Sequence, residues 1–148
     1  MRIYLDNCSI SRQFDKLNSN ALRLECEAIL SIFDLCEESD WLYFSSDVLL
    51  DEILETPDLD KQEKLLMIYN GASEHIEFSE EIYKRAKEFE QHNIKSFDAL
   101  HLASAEAANA DILLTTDRKF INAAKKVDSS VPVKNPVVWL TEVFYDSE

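Results

Sequence analysis

The chain is 148 residues long and strongly acidic, with 29 Asp and Glu against 15 Lys and Arg and a formal net charge of −14 at pH 7. It contains one Gly and three Pro, which excludes long flexible linkers, low-complexity segments and glycine-rich phosphate loops. The length and the 46% content of hydrophobic residues predict one domain, residues 1–148, with a substantial core.

The composition also indicates a cellular compartment. Asp6 comes too early in the chain for the apolar region of a signal peptide, and no run approaches the roughly 20 apolar residues of a membrane-spanning helix. The three cysteines, Cys8, Cys26 and Cys36, lack CxxC spacing, which favours reduced thiols over a disulfide framework or a structural zinc site. We therefore expect a soluble, cytoplasmic protein that has no membrane partner.

The first half of the chain alternates short apolar runs with amphipathic segments. In chain order, these segments predict a strand at 3–6, a short helix or loop at 11–20, a helix at 21–37, a strand at 41–45 and a helix at 48–55. Asn20 is the expected N-cap of the first long helix, and Ser46 or Asp47 that of the helix after the second strand.

The second half continues the alternation. It predicts a helix at 59–70, a strand at 75–78, helices at 80–91 and 96–108, a strand at 111–116, a helix at 119–126 and a short last strand at 137–140. Strands that alternate with helices are typical of a mainly parallel sheet covered on both faces. We predict an α/β fold with three α/β/α layers around a mainly parallel central sheet of about five strands.

Four acidic residues are placed where such a fold would form a site. Asp6 and Asp117 close predicted strands, and ligands of open α/β sheets bind at the carboxyl ends of the strands. Glu52 and Asp98 lie on predicted helices, which can bring them to the same edge. Four converging carboxylates would suit a hard cation, Mg²⁺ or Mn²⁺.

Each of these acids also has an ordinary explanation. With 29 acidic residues in the chain, one acid at a strand end is weak evidence. Asp98 would lie in the first turn of its helix, where an acid stabilises the helix dipole by about 0.3–1 kcal/mol. Glu52 has Asp51 and Glu55 as neighbours and fits a solvated acidic face equally well.

The sequence around the four acids, taken together, resembles the PIN domain family. The family has an aspartate after its first strand, a glutamate on the helix after the second, an aspartate opening a later helix and an aspartate after the fourth strand. The matching segments here are Leu5-Asp6-Asn7-Cys8-Ser9, Val48-Leu49-Leu50-Asp51-Glu52-Ile53, Phe97-Asp98-Ala99-Leu100-His101-Leu102-Ala103 and Leu114-Thr115-Thr116-Asp117-Arg118-Lys119-Phe120. The resemblance covers nearly the whole chain, and residues 135–140 look like the family's terminal strand.

The resemblance implies a metal-dependent ribonuclease. We consider one particular kind of such ribonuclease, the toxin of a VapC-like toxin–antitoxin pair. Asp6, Glu52, Asp98 and Asp117 would be both the catalytic residues and the ligands of Mg²⁺ or Mn²⁺. Metal ions held in this way polarise a phosphoryl oxygen and lower the pKa of a bound water. The partners implied are an RNA substrate, a basic antitoxin-like protein and a second copy of the chain in a homodimer.

The chain departs from the family pattern after its first aspartate. The family often has Thr or Ser followed by Asn there, whereas this chain has Asn7-Cys8-Ser9. Asn7 or Ser9 would then form the hydrogen bond to a carboxylate or a water that supports the metal ligands. Thr115 and Thr116 match the family's hydroxyl-rich approach to its last aspartate, and Thr116 would orient Asp117 or a metal-bound water, although strand propensity explains both threonines equally well.

Charge is segregated along the sequence. Residues 24–60 contain no Lys or Arg, which indicates either a solvated acidic face or a surface that docks a basic partner. Eight later basic residues flank Asp98 and Asp117 and would steer a phosphodiester toward the carboxylates: Lys84, Arg85, Lys87, Lys95, Arg118, Lys119, Lys125 and Lys126.

Other functions remain open at this stage. A noncatalytic PIN-like module that binds a protein through its acidic surface is the main alternative. A haloacid dehalogenase-type phosphatase expects Asp-x-Asp after its first strand, and a receiver domain expects Asp after its third; neither pattern is present. No Ser/His/Asp or Cys/His context supports a covalent nucleophile, and His101 is expected to be a hydrogen-bonded helix residue and not a catalytic base.

Overall fold

The computed structural model describes residues 1–146 and contains one five-stranded sheet in which every pairing is parallel. The strand order is β3-β2-β1-β4-β5. The strands are β1 (Arg2–Leu5), β2 (Leu42–Ser46), β3 (Glu74–Ile76), β4 (Ile112–Leu114) and β5 (Val133–Lys134). The two central strands, β1 and β4, therefore end side by side, with Leu5 paired to Leu114.

Helices connect consecutive strands and cover both faces of this sheet. They are α1 (Asn7–Ser11), α2 (Asn20–Glu38), α3 (Asp47–Leu54), α4 (Leu59–Asn70), α5 (Glu80–Glu90), α6 (Ser96–Ala107), α7 (Arg118–Ala124) and α8 (Pro136–Asp146), with a 3-10 turn at Arg12–Phe14. The predicted three-layer α/β/α fold with a parallel sheet is confirmed.

Alternation of buried side chains along the strands divides the core between the two faces. One cluster combines Tyr4, Phe44 and Leu113 with apolar residues of α5, α6 and α7. The other combines Ile3 and Leu5 of β1 with residues of β4, α2, α3, α4 and α8. Because both faces are covered, β4 consists of three consecutive fully buried apolar residues.

Side-chain caps start most of the helices where the sequence indicates. Ser46 accepts a hydrogen bond from Leu49 N at the start of α3, and Ser79 accepts one from Ile82 N at the start of α5. Ser19, not the predicted Asn20, caps α2. These caps matter for function because β2 runs directly into α3, the helix that carries Glu52.

The predicted last strand at 137–140 is wrong. These residues belong to α8, and the fifth strand is the preceding pair Val133–Lys134. The Asn135 side chain accepts a hydrogen bond from Val137 N, and Pro136 occupies the first helical position, where its missing N–H costs nothing. Packing of Trp139 into the core outweighs the strand propensity of its β-branched neighbours.

The segment after β1 also differs from the prediction. A helix begins at Asn7, immediately after Asp6, whereas a helix or loop was expected from residue 11. Asp6 itself starts this helix by accepting a hydrogen bond from Ser9 N. Within residues 1–146, no helix is long and apolar enough to cross a membrane.

Candidate active site

Asp6 lies at the carboxyl end of the central strand β1 and is almost fully buried, with 2% of its surface exposed. Its Oδ1 accepts a hydrogen bond from Ser9 N at 3.0 Å. Burial raises the pKa of Asp6, as does the charge of Glu52, while hydrogen bonds from the Thr115 hydroxyl and Ser9 N–H act in the opposite direction. A buried carboxyl therefore sits at the centre of the sheet edge, and no Lys or Arg of residues 1–146 pairs with it.

Asp117 is held at the same edge by the neighbouring strand. It follows β4 by three residues and caps α7, its Oδ1 accepting hydrogen bonds from Lys119 N at 2.9 Å and Phe120 N at 3.3 Å. Thr115 Oγ1 accepts from Asp117 N at 3.1 Å, so a buried hydroxyl fixes the turn between strand and aspartate. The second oxygen of Asp117, Oδ2, receives no hydrogen bond from any described residue.

Glu52 approaches from α3, which packs against α6. Its Oε1 lies 2.9 Å from Nε2 of His101, a residue of α6 that is fully buried. The Glu52 side chain remains 25% exposed. His101 therefore joins the two helices that carry Glu52 and Asp98, and it has hydrogen-bond partners, as the sequence predicted for a helix residue.

Asp98 lies in the first turn of α6, half-buried, three residues before His101 and so on the same face of the helix. Desolvation raises its pKa to about 7, and the negative charges of Asp6, Asp117 and Glu52 add to the effect. Among residues 1–146 its carboxylate accepts no hydrogen bond and forms no ion pair. Asp98 is the least compensated of the four acids.

The four predicted acids act on one another electrostatically at this edge of the sheet. All four also act on Cys8, which lies in the helix that follows Asp6. Desolvation and the charges of Asp6, Glu52, Asp98 and Asp117 together raise the pKa of its thiol to about 12. Such a thiol stays protonated near neutral pH, which makes it a poor nucleophile. The site is therefore a concentration of negative charge, which is the arrangement that a cation neutralises.

The three predicted supporting residues have different environments. Asn7 Oδ1 is buried and has no hydrogen-bond partner among the described residues. The Ser9 hydroxyl donates to Leu114 O at 2.9 Å, tying α1 to the end of β4, and only the Ser9 backbone contacts Asp6. Thr116 accepts a hydrogen bond from Arg12 at 2.7 Å and makes no bond to Asp117; Thr115 contacts the acids instead.

The residues at this edge fit a divalent cation by the chemistry of their donors. Carboxylate and amide oxygens are the ligands that Mg²⁺ and Mn²⁺ prefer, and none of the three aspartates pairs with a described Lys or Arg. The orphaned Asn7 Oδ1 is an acceptor suited to a proton of a metal-bound water. No group of three or more His, Cys, Asp or Glu side chains of residues 1–146 is arranged to hold one ion as it stands.

Comparison with known protein families identifies the family of this chain. The model of the PIN domain matches residues 17–126, a range that includes Glu52, Asp98 and Asp117. This chain belongs to the PIN domain family. Asp6 precedes the matched range, and its place in the PIN domain rests on its position at the end of β1. No curated protein sequence matches the chain significantly.

Solved structures share the PIN fold at low sequence identity. A chain from the VapBC2 complex of Rickettsia felis, crystallised with a DNA fragment from its promoter, has a TM-score of 0.61 at 19% identity and covers 91% of this chain and 98% of its own. VapC20 of Mycobacterium tuberculosis, described as a toxin that cleaves the sarcin–ricin loop, has a TM-score of 0.59 at 12% identity and covers 88% and 99%. A chain from VapBC-5 of the same organism has a TM-score of 0.53 at 16% identity and covers 90% and 98%.

Sequence reasoning missed some contacts of this PIN domain. Tyr4 contacts His101 but was not singled out, and Thr115 contacts Asp117 but was given no orienting role. Tyr4 precedes Asp6 by two residues on the same strand, and His101 follows Asp98 by three on the same helix. Strand and helix periodicity were therefore the signals that placed them near the site.

Proposed function

We propose that this PIN domain is a Mg²⁺- or Mn²⁺-dependent ribonuclease that hydrolyses RNA phosphodiester bonds. The observation that carries the proposal is the mutual electrostatic influence of Asp6, Glu52, Asp98 and Asp117 at the carboxyl edge of the sheet. These acids come from four separate elements of the chain, and the charge they concentrate has no Lys or Arg partner among residues 1–146.

The proposed roles follow from the environment of each acid. Asp6 and Asp117, each held by backbone N–H groups at a helix start, provide rigid ligand oxygens, and Glu52 provides another from α3. Asp98, with its pKa raised to about 7, either binds the cation as a carboxylate or receives a proton from the attacking water. A divalent cation bound here would polarise the phosphodiester and lower the pKa of a water.

Exposed cations at the rim support a nucleic-acid substrate. Lys95 immediately precedes α6, and Arg118 and Lys119 open α7 directly after Asp117. All three are exposed and none forms an ion pair with residues 1–146. Such free cations beside an acidic centre are available to phosphates, and they offset locally the repulsion expected from a net charge of −14.

We further propose that the chain is a toxin with a basic, antitoxin-like protein as its partner. The structural neighbours include chains from VapBC complexes and a toxin that cleaves the sarcin–ricin loop, which supports this role. On α2, Glu27, Asp34 and Glu38 lie seven and four residues apart on an exposed face without ion pairs to residues 1–146. An acidic face of this kind attracts a basic segment and speeds encounter.

Asp98→Asn tests the catalytic proposal because Asn retains the size of the side chain and removes its charge. We expect the unmutated protein to cleave RNA with Mn²⁺ or Mg²⁺ and to melt at a higher temperature when either ion is added. The variant should lose cleavage and most of the metal-induced shift in melting temperature. Without metal it should be at least as stable as the unmutated protein, since a repelled charge is removed.

Asp60→Asn is the matched control, since Asp60 also lies in the first turn of a helix but outside the site, paired with Lys64. This variant should cleave RNA at the unmutated rate. A folded Asp98→Asn protein that cleaves normally would refute the catalytic role of Asp98. Absence of metal-dependent cleavage by the unmutated chain would instead favour the noncatalytic protein-binding alternative.

A further inference from the structure

A buried chain of hydrogen bonds leads from the start of α3 to the carboxylate of Glu52. Ser46 Oγ lies 2.9 Å from Leu49 N and 2.8 Å from the Tyr4 hydroxyl. The Tyr4 hydroxyl lies 2.6 Å from Nδ1 of His101, and Nε2 of His101 lies 2.9 Å from Oε1 of Glu52. The three residues between the ends of this chain are at most 1% exposed.

The two ends of this series of hydrogen bonds favour one direction for every bond within it. Leu49 N–H can only donate, so the Ser46 oxygen accepts there and its own proton is free for Tyr4. An ionised Glu52 can only accept, so His101 must donate from Nε2. Tyr4 then accepts from Ser46 and donates to Nδ1, which makes the imidazole the Nε2–H tautomer.

The opposite direction is unfavourable for a specific reason. A proton on Nδ1 of His101 would turn the Tyr4 hydroxyl toward Ser46, and the Ser46 proton would then have no acceptor among the described residues. A buried donor without a partner costs about 1–3 kcal/mol. Burial also raises the pKa of Tyr4, so the phenol keeps the proton that it donates.

We propose that His101 is a positioning residue for Glu52, its tautomer fixed by Ser46 and Tyr4 so that Nε2–H holds Oε1 and leaves Oε2 for the divalent cation. This inference rests on the proposed metal-dependent function. Oε2 of Glu52 receives no hydrogen bond from residues 1–146. Residues that orient a ligand in this way typically change metal affinity by 10–100-fold when they are replaced.

The protein contains a natural control, a second hydroxyl–imidazole–carboxylate series of hydrogen bonds outside the site. Ser45 Oγ lies 2.8 Å from Nδ1 of His75, and Nε2 of His75 lies 2.8 Å from Oδ1 of Asp47. The chemistry is the same, but the side chain of His75 is 36% exposed and its carboxylate is not one of the four site acids. Replacing His75 therefore measures the effect on Mn²⁺ binding of losing a similar series of hydrogen bonds outside the site.

The first measurement is the ring tautomer, read from two-bond ¹H–¹⁵N NMR correlations of the metal-free protein. The signals that disappear in His101→Gln identify His101, and we expect them to have the pattern of the Nε2–H form. Tyr4→Phe removes one of the two groups that select this form, while Glu52 remains, and should therefore increase the share of the Nδ1–H form. A predominant Nδ1–H form in the unmutated protein would overturn the inference.

The second measurement is Mn²⁺ affinity by calorimetry. His101→Leu, which removes the donor, should weaken binding by about 10–100-fold, whereas His101→Gln retains an N–H near the position of Nε2 and should stay within about threefold of the unmutated value. His75→Leu should leave binding unchanged. Saturating Mn²⁺ should restore most RNA cleavage to His101→Leu, because a positioning residue acts through ligand binding.

The outcomes separate this inference from the function on which it rests. Unmutated protein that binds Mn²⁺ and cleaves RNA, together with a His101→Leu variant that binds equally well, would refute the role of His101 alone. Unmutated protein that binds no Mn²⁺ would refute both proposals. If His101→Leu does not fold, Tyr4→Phe decides by the same calorimetry: unchanged affinity contradicts the inference, and weaker binding supports it.

Discussion

The four site acids differ in how firmly protein donors hold them. At the start of a helix, Asp6 accepts a hydrogen bond from one backbone N–H group and Asp117 accepts hydrogen bonds from two. Glu52 is held by His101. Asp98 has neither a hydrogen bond nor an ion pair with the described residues. Three of the acids therefore stabilise local structure, whereas the charge of Asp98 destabilises the folded protein when no cation is bound.

This destabilisation predicts a pH dependence in metal-free buffer. The folded-state pKa of Asp98 is raised to about 7 and that of Asp6 is also raised, so the native state binds more protons than the unfolded state between about pH 4 and 7. Stability should therefore fall as pH rises through this range. Asp98→Asn should fall less and exceed the unmutated protein by about 1–2 kcal/mol above pH 7, since water partly screens the half-buried carboxyl.

Urea denaturation at pH 5 and pH 8 in the presence of a chelator measures this difference. Asp60→Asn, which removes an exposed acid from the first turn of α4, should show no comparable gain at pH 8. An Asp98→Asn protein with the same pH profile as the unmutated one would contradict the prediction.

Sequence patterns located the acids more reliably than the residues around them. The positions of Asp6 and Asp117 were predicted from the ends of strands, and apolar runs in the sequence indicate where strands end. The sequence did not predict which of Thr115 and Thr116 contacts the acids. Both residues follow β4, and only the conformation of the turn decides which hydroxyl faces the acids. The partners of His101 depend on contacts between β1, α3 and α6, which spacing alone does not give.

Among the secondary-structure elements, the cap of α3 was predictable, whereas the starts of α1 and α2 and the identity of the last element were not. Ser46 starts α3 as expected. The last element failed because Val137, Val138 and Trp139 favour a strand by propensity, while Asn135 and Pro136 provide the start of a helix. Tertiary packing of one tryptophan resolves this competition.

Trp139 should accordingly be a major source of stability for α8. It is 6% exposed and packs with its ring centroid 5.6 Å from that of Trp41. Trp139→Ala should destabilise the protein by about 3–5 kcal/mol in urea denaturation. Val138→Ala, on the same helix but 52% exposed, should change stability by less than about 0.5 kcal/mol. Equal effects of the two substitutions would show that α8 is not anchored by its tryptophan.

The two ends of α7 provide a test of the proposed RNA contacts. Arg118 and Lys119 open the helix beside Asp117, while Lys125 and Lys126 follow its end. In an Asp98→Asn background, which is expected to prevent cleavage, Arg118→Ala/Lys119→Ala should weaken RNA binding. It should also reduce the salt slope by about 1.4, because each phosphate of a single strand that a cation neutralises contributes about 0.7 to that slope.

Lys125→Ala/Lys126→Ala removes the same charge from the far end of α7 and is the matched control. Its affinity and salt slope, measured by fluorescence anisotropy with a labelled RNA, should stay close to those of the Asp98→Asn parent. Equal weakening by the two pairs of substitutions would indicate a general charge effect without a localised rim.

At the scale of the whole molecule, charge is distributed unevenly around the sheet. Residues 24–60 carry no Lys or Arg, and they form most of α2, then β2 and α3 together with the start of α4. The free cations beside Asp98 and Asp117 come from the later half of the chain. The proposed attraction of a basic protein and the proposed attraction of RNA thus involve different segments, so both proposals are compatible with a net charge of −14.

The family resemblance predicts a homodimer, which remains to be measured. Light scattering coupled to gel filtration should give about twice the 17.1 kDa mass of one chain at micromolar concentration. A monomer that persists at high micromolar concentration would contradict this prediction. The measurement is best made at moderate salt, since repulsion between two acidic chains opposes association at low ionic strength.

The unequal anchoring of the four acids also indicates how such a domain would lose its activity during evolution. Replacement of Asp6 or Asp117 removes a helix cap, at a cost of about 0.5–2 kcal/mol, so selection for stable folding opposes it even after catalysis is no longer needed. Replacement of Asp98 breaks no hydrogen bond or ion pair with residues 1–146 and relieves repulsion. Neutral drift would therefore reach position 98 first, and descendants that keep the PIN fold only for binding should have lost this aspartate while retaining the other two.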